Sequence, residues 1–252
     1  MKDIFITHQV LQARHGFFTR KGGISSGLFG SLNCGSRREE ERANALENRR
    51  LAMQALGVTP ESLSILNQTH SSMVLSVDKP ITADANEDGD AQVTRKRGIT
   101  LGVVTADCAP VLLHDPIAGV IGAVHSGWRG TLGFIAPATV MVMEKLGADR
   151  RHITGVIGPC IEQRSYEVGP DFPAPFIARE REPFFKPSAK AGHFMFDLKG
   201  CIAHDLQAMG VSQIAVMPQD TYEEEELFFS NRRATHRNET GFGLQLSAIT
   251  LD

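Results

Sequence analysis

At 252 residues, with 42% hydrophobic residues, 22% charged residues and a formal net charge of −3, the chain has the composition of a globular protein with a sizeable core. It lacks the basic excess of a nucleic-acid binder and the apolar-poor profile of a disordered chain, so a small molecule is the expected partner. No apolar run reaches the length of a membrane span, and the opening MKDIFITHQVLQARHG has neither the apolar segment nor the cleavage site of a signal peptide, which makes a cytoplasmic location the expectation.

Taken in chain order, residues 17–27 (FFTRKGGISSG) are dense in glycine and serine. Such a loop either presents backbone N–H groups and the Arg20 guanidinium to an anion or lies in solvent. It is not a P-loop, because no G-K-[ST] follows, and Asn33 in SLNCG comes under the same argument. Residues 37–57 begin with a charge run and continue with Ala45, Leu46, Arg49, Leu51, Ala52 and Leu56 at helical spacing, with Gly57 as a stop. This predicts a surface helix whose charged part is a solvated face. Residues 63–66 are apolar, His70 follows in a polar turn, and residues 73–77 read as a strand. The carboxylates of NEDGDA at 86–91 lack the further ligands of a calcium loop and are read as a turn.

The richest chemistry lies in residues 97–130. Ile99, Leu101 and Val103 alternate as a half-buried strand should, and two apolar blocks flank the turn residues of DPIAG. The implied hairpin sets Asp115 opposite Val120, Leu113 opposite Gly122 and Pro110 opposite His125. Cys108 then shares a face with His125 at a diagonal spacing of roughly 7–8 Å, which side chains can close. A thiolate and an imidazole so placed suit a zinc or copper ion, or a thiolate–imidazolium nucleophile pair. The alternative is an inert thiol beside a satisfied histidine. The setting favours chemistry, since His125 ends a strand at the glycine-containing turn SGWRG.

Beyond this, residues 131–146 have helical spacing ended by Gly147, and 153–157 read as a strand before Cys160, a thiol expected to be structural. Residues 170–192 are proline-rich and irregular, 196–209 form a helix closed by Gly210, and 214–217 form a short strand. After four glutamates at 223–226, the strand-like Phe228-Phe229 precedes Arg232 and Arg233. One of these reaches an anion in the site, or both pair with the glutamates. The four cysteines, Cys34, Cys108, Cys160 and Cys201, form no C-x-x-C pair, so a metal site must recruit distant histidines.

Together TADCAPVLL, AVHSGWRG, NQTHSSMV around His70, IGPCIEQRSYEVG and FFSNRR resemble the laccase-domain family, whose members are named multicopper polyphenol oxidase, purine nucleoside phosphorylase and peptidoglycan editing factor. The resemblance covers nearly the whole chain, 1–252, as a single domain. It implies an α/β fold, a four-layer α/β/β/α sandwich with mixed sheets. It also implies that His70 joins Cys108 and His125 as ligands of zinc, or of copper, with a fourth position open, and that Asp90 supports the site. The segment carrying Arg20 and Asn33 then lines the site, and Arg20, Arg129 or Arg232 receives phosphate.

The activity implied is zinc-dependent phosphorolysis of adenosine, inosine and S-methyl-5′-thioadenosine, with deamination of adenosine at the same metal. One alternative is a cysteine or metal hydrolase of peptidoglycan precursor editing, with Cys108 as nucleophile and His125 as base. Another is a copper-dependent polyphenol oxidase, to which nine histidines without an H-x-H pair are poorly suited. Where the family has Thr-Gly-Arg, this chain has Thr240-Gly241-Phe242, so any role of that arginine does not carry over.

Overall fold

The computed structural model describes residues 4–36, 38–82 and 85–252. Two mixed sheets face one another. The first runs β1 (Phe5–Ile6), β2 (Arg14–Phe18), β14 (Gln245–Thr250), β6 (Thr100–Thr105), β3 (Leu63–Ile65). The second runs β13 (Gln213–Val216), β9 (Thr154–Ile157), β7 (Ala109–Asp115), β8 (Val120–Ser126), β5 (Ala91–Thr94), β4 (Val74–Ser76).

Alternation gives each strand two faces. Leu101, Val103 and Ile249 of the first sheet meet Leu112, Ile121, Ala123 and Val156 of the second in a core between the sheets. On its other face the first sheet packs Val104, Leu246 and Ala248 against Ala52, Met53 and Leu56 of α1 (Arg42–Leu56). The second sheet packs Val111, Leu113, Val120 and Val124 against a helical layer carrying Val140, Met143, Ile202 and Leu206. The layers are therefore α/β/β/α, as expected. Burial on both faces also explains why the blocks around DPIAG are continuously apolar instead of alternating.

The hairpin has the expected register, with Pro110 opposite His125, Leu113 opposite Gly122 and Asp115 opposite Val120. The helix predicted over 131–146 is instead two, α2 (Trp128–Leu132) and α3 (Ile135–Lys145), separated at Phe134 with φ of 62°. Arg179 donates to the Leu132 carbonyl at 2.7 Å and Arg181 to that of Thr131 at 2.9 Å, so the last carbonyls of α2 are satisfied from outside the helix. The stretch 170–192 that supplies these arginines is less irregular than its prolines suggest. It holds α4 (Ala174–Ile177) and β11 (Phe185–Pro187), which joins β10 (Glu167–Val168) and β12 (Phe194–Phe196) in a small third sheet.

Phe196 is thus a strand residue, and α5 (Leu198–Ala208) starts two residues later, where Asp197 accepts from the Gly200 N–H at 2.8 Å. Phe228-Phe229 is buried coil, not strand, and leads into α6 (Asn231–His236), capped by the Ser230 hydroxyl. The helix expected from residue 37 begins at Arg42; Arg37, like Met1–Asp3 of the opening segment, lies outside the described residues. No helix among the described residues is long and apolar enough to cross a membrane.

Two buried histidines pin the segment between β1 and β2. His15 donates from Nδ1 to the Ala13 carbonyl at 2.8 Å and accepts the His8 N–H on Nε2 at 2.9 Å, while His114 Nδ1 accepts the Ala13 N–H at 3.3 Å. Accepting on a ring nitrogen requires a neutral ring, and burial lowers the pKa of both. Such groups contribute their stability fully above the unfolded value of about 6.5 and lose it as pH falls through the depressed folded values. Protection of the His8 and Ala13 amides from exchange should therefore drop between about pH 7 and pH 5 relative to amides in β8. Equal behaviour of the two sets would contradict the assignment.

Candidate metal centre

The chain passes from the first sheet to the second between β3 and β4 and again between β6 and β7, and returns between β5 and β6 and between β13 and β14. His70 lies on the first crossing and Cys108 on the second, while His125 reaches the same place at the end of β8. Their ligand atoms all lie within 4.8 Å of one another, with Cys108 Sγ 3.8 Å from His70 Nε2. The two imidazole rings stand edge to face at 4.8 Å between centroids.

Asp90 organises this cluster from beneath. Its carboxylate accepts from His125 Nδ1 at 2.7 Å, from the His70 N–H at 3.0 Å, and from the Ser71 N–H and hydroxyl at 2.6 and 2.7 Å. The first bond fixes the His125 tautomer, leaving Nε2 for the cluster. The others hold His70 at a φ of 60°, a left-handed conformation that a non-glycine residue adopts only when its surroundings impose it. Asp107, at φ 80°, is restrained likewise: its buried carboxylate accepts from Thr221 Oγ1 at 2.7 Å, Ser230 Oγ at 2.9 Å and the Arg232 N–H at 2.6 Å, tying the Cys108 crossing to the start of α6.

The electrostatics separate Cys108 from the other thiols. Burial pushes Cys34 and Cys201 up to about 12 and moves Cys160 in the same direction, consistent with a structural part for Cys160. Burial acts on Cys108 in the same sense, yet the charge and hydrogen bond of His125, joined by His70, overcome it and lower the thiol to about 7. For His125, burial disfavours the charged ring, but the Cys108 thiolate and the Asp90 carboxylate outweigh it and raise the pKa to about 9. A soft thiolate with two imidazoles is a donor set suited to zinc or copper.

Room for the cluster depends on Gly127, where a Cβ would stand 2.8 Å from Cys108 Sγ and 3.1 Å from His70 Cδ2. Its backbone, at φ −78° and ψ 175°, is open to any residue. Gly127→Ala should therefore fold normally but bind metal roughly 10–100-fold more weakly, as misplaced ligands do. Metal titration alongside thermal melting checks this; unchanged affinity would show that the cluster can shift.

The cluster opens into a cleft of about 440 Å³. Its wall includes Ile65, Leu66 and Val104, the three arginines Arg38, Arg42 and Arg49, and Glu41. Arg49 is buried, donating to the Cys34 carbonyl at 2.9 Å and to Ser36 Oγ at 3.1 Å.

The sequence matches the family described as multi-copper polyphenol oxidoreductase laccase over residues 14–252. The chain belongs to this family. Among its relatives, a Deinococcus radiodurans protein named purine nucleoside phosphorylase is 39% identical, covering 88% of this chain and 85% of the relative. A Streptomyces coelicolor protein of the same name is 36% identical, with 91% and 94% covered. Among solved structures, YlmD from Geobacillus stearothermophilus is similar at a TM-score of 0.89 and 29% identity, and a Neisseria meningitidis protein at 0.85 and 30%, each with 99% of both chains covered.

Of the residues singled out in the sequence, the structure brings together His70, Cys108 and His125, and places Asn33 on the cleft wall. Asn33 Oδ1 accepts the Gly35 and Leu244 N–H groups at 2.9 Å each, so it shapes that wall. The three expected arginines are not among the lining residues. Arg20 donates to the carbonyls of Gly30 at 2.7 Å and Glu225 at 3.1 Å and lies over the Phe229 ring. Arg129 lies over Trp128 at 4.4 Å, and Arg232 donates to the Glu167 carbonyl at 2.8 Å while covering Tyr166. Arg233 takes the ion-pair alternative, 3.9 Å from Glu225, and also donates to nearby carbonyls. The charge run read as a solvated face instead reaches the cleft through Arg38, Glu41 and Arg42.

Proposed function

We propose that the chain is a cytoplasmic, zinc-dependent purine nucleoside phosphorylase that cleaves adenosine and inosine with phosphate, accepts S-methyl-5′-thioadenosine, and deaminates adenosine at the same site. The observation that carries this reading is the convergence of the His70, Cys108 and His125 cluster with a cleft lined by three arginines. The names of the relatives point the same way. Zinc on these three ligands would supply Lewis acidity at a fourth, open position.

The chain's own groups supply the rest. Phosphorolysis breaks the bond from the base nitrogen to the anomeric carbon and forms a carbon–oxygen bond to phosphate, the base leaving with a proton. Arg42 and Arg49 are assigned to hold the phosphate, since forked guanidiniums match its geometry and neutralise its charge. Ile65, Leu66 and Val104 keep that part of the cleft apolar, which disfavours water as a competing nucleophile. Cys108 is read as a ligand, because a nucleophile–base pair with His125 would have no use for His70 at 3.8 Å. Multi-copper oxidation is disfavoured: among the described residues, a single group of histidine, cysteine and acidic side chains has metal-binding geometry.

Protein purified without chelator should carry about one zinc per chain and release ribose 1-phosphate from inosine only when phosphate is present. Free ribose formed at the same rate without phosphate would make the enzyme a hydrolase. Adenosine supplied without phosphate tests the deaminase part, with inosine as the expected product.

A further inference from the structure

One wall of the cleft is built differently from the rest. It is formed by Phe29, Arg38, Asn231, Gly241, Phe242 and Leu244, most of them on the return crossing between β13 and β14. The wall is rigidly backed. Arg38 donates to the Thr240 carbonyl and lies 5.6 Å over the Phe29 ring. Gly241 is pressed so closely on this pair that a Cβ would stand 2.9 Å from Arg38 Cζ and 3.1 Å from Phe29 Cζ. On the far side the Leu244 N–H is held by Asn33 and its carbonyl by the Cys34 N–H at 2.8 Å. Between these two anchors Phe242 is left 36% exposed, a large aromatic side chain on the surface of a cleft.

An aromatic side chain on a braced backbone offers a planar, sequence-independent surface for stacking, and such surfaces bind flat heterocycles more strongly than they bind aliphatic groups. Asn231 stands on the same wall, exposed at the start of α6, with a carboxamide able both to donate to and accept from the edge of a ring. Resting on the nucleoside reading above, we propose that Phe242, braced by Arg38 and Phe29, is the platform on which the substrate's base stacks. The sugar then faces the His70, Cys108 and His125 cluster.

The test uses metal-loaded protein and calorimetric titration with hypoxanthine, adenine and inosine in the absence of phosphate, so that it does not depend on turnover. Phe242→Ala should weaken binding of all three about tenfold or more, and Phe242→Tyr, which keeps the ring, should restore it to within about twofold. Metal content and the affinity for inorganic phosphate titrated alone should stay at the unaltered values in both variants. Equal binding by Phe242→Ala, failure of the tyrosine to restore binding, or a matching loss of phosphate affinity would each overturn the proposal. So would an unaltered protein that binds none of the three probes. An unaltered protein that binds the bases through Phe242 but does not cleave inosine would overturn the phosphorylase reading and leave this one standing.

Discussion

Replacing Asp90 by alanine should destabilise the protein by roughly 3–5 kcal/mol and empty the metal site, although Asp90 is itself no ligand in the cluster. The side chain is fully buried against His125 and serves six donors: the His125 ring, the N–H groups of Thr69, His70 and Ser71, and the hydroxyls of Thr69 and Ser71. Removing it leaves these without an acceptor in a place water reaches poorly, and each buried orphan costs about 1–3 kcal/mol. It also frees the His125 tautomer and the left-handed backbone of His70, so two of three ligands lose their orientation together. Asp90→Asn, which keeps the shape and one acceptor oxygen, separates the two effects. It should recover much of the melting temperature while metal affinity stays about 10–100-fold below that of the unaltered protein, because the charge that supports the imidazole is gone. An Asp90→Asn protein that retains metal as tightly as the parent would show that the carboxylate is structural only.

The parts of the site that were legible in the sequence are those set by short-range rules. A turn signal between two apolar blocks and a side-chain period of two are enough to put Pro110 opposite His125, with Cys108 one residue before the strand on the crossing that leads into it. His70 obeys no such rule. It reaches the cluster through a crossing between sheets, and only the likeness of its motif to the family marked it. The arginines show the reverse failure. Arg38, Arg42 and Arg49 occupy a stretch whose local pattern is that of a solvated helix; the place of Arg42 and Arg49 on the cleft follows from how α1 lies across the first sheet, and that of Arg38 from its bond to the Thr240 carbonyl, neither of which a local pattern encodes. Arg20 sat in a glycine-rich loop suggestive of an anion site, but the carbonyls that engage it belong partly to Glu225, far along the chain. The break between α2 and α3 was hidden for a similar reason. Leu132 and Ile135 keep helical spacing, and the caps that end α2 come from Arg179 and Arg181.

The largest change in activity is expected from His70→Ala, because the two uses of Cys108 make opposite demands on that histidine. As a ligand His70 is one of three, and its loss leaves a thiolate and a single imidazole, a site weaker by on the order of 100-fold or more. Metal and phosphorolysis should then disappear together, and added zinc should restore them only at high concentration. As a bystander to a Cys108–His125 nucleophile pair, His70 could be truncated with little effect, Cys108 would remain readily alkylated, and a covalent substrate adduct would be trappable on its sulfur. Backbone strain complicates alanine at this position, since φ is 60° there and alanine tolerates the left-handed region poorly. Asparagine tolerates it well, so His70→Asn removes the imidazole while sparing the backbone. If both variants fold, lose metal and lose activity in step, Cys108 is a ligand. A metal-poor His70→Asn protein that still turns over nucleoside, or an adduct on Cys108 of the unaltered enzyme, would establish the nucleophile instead.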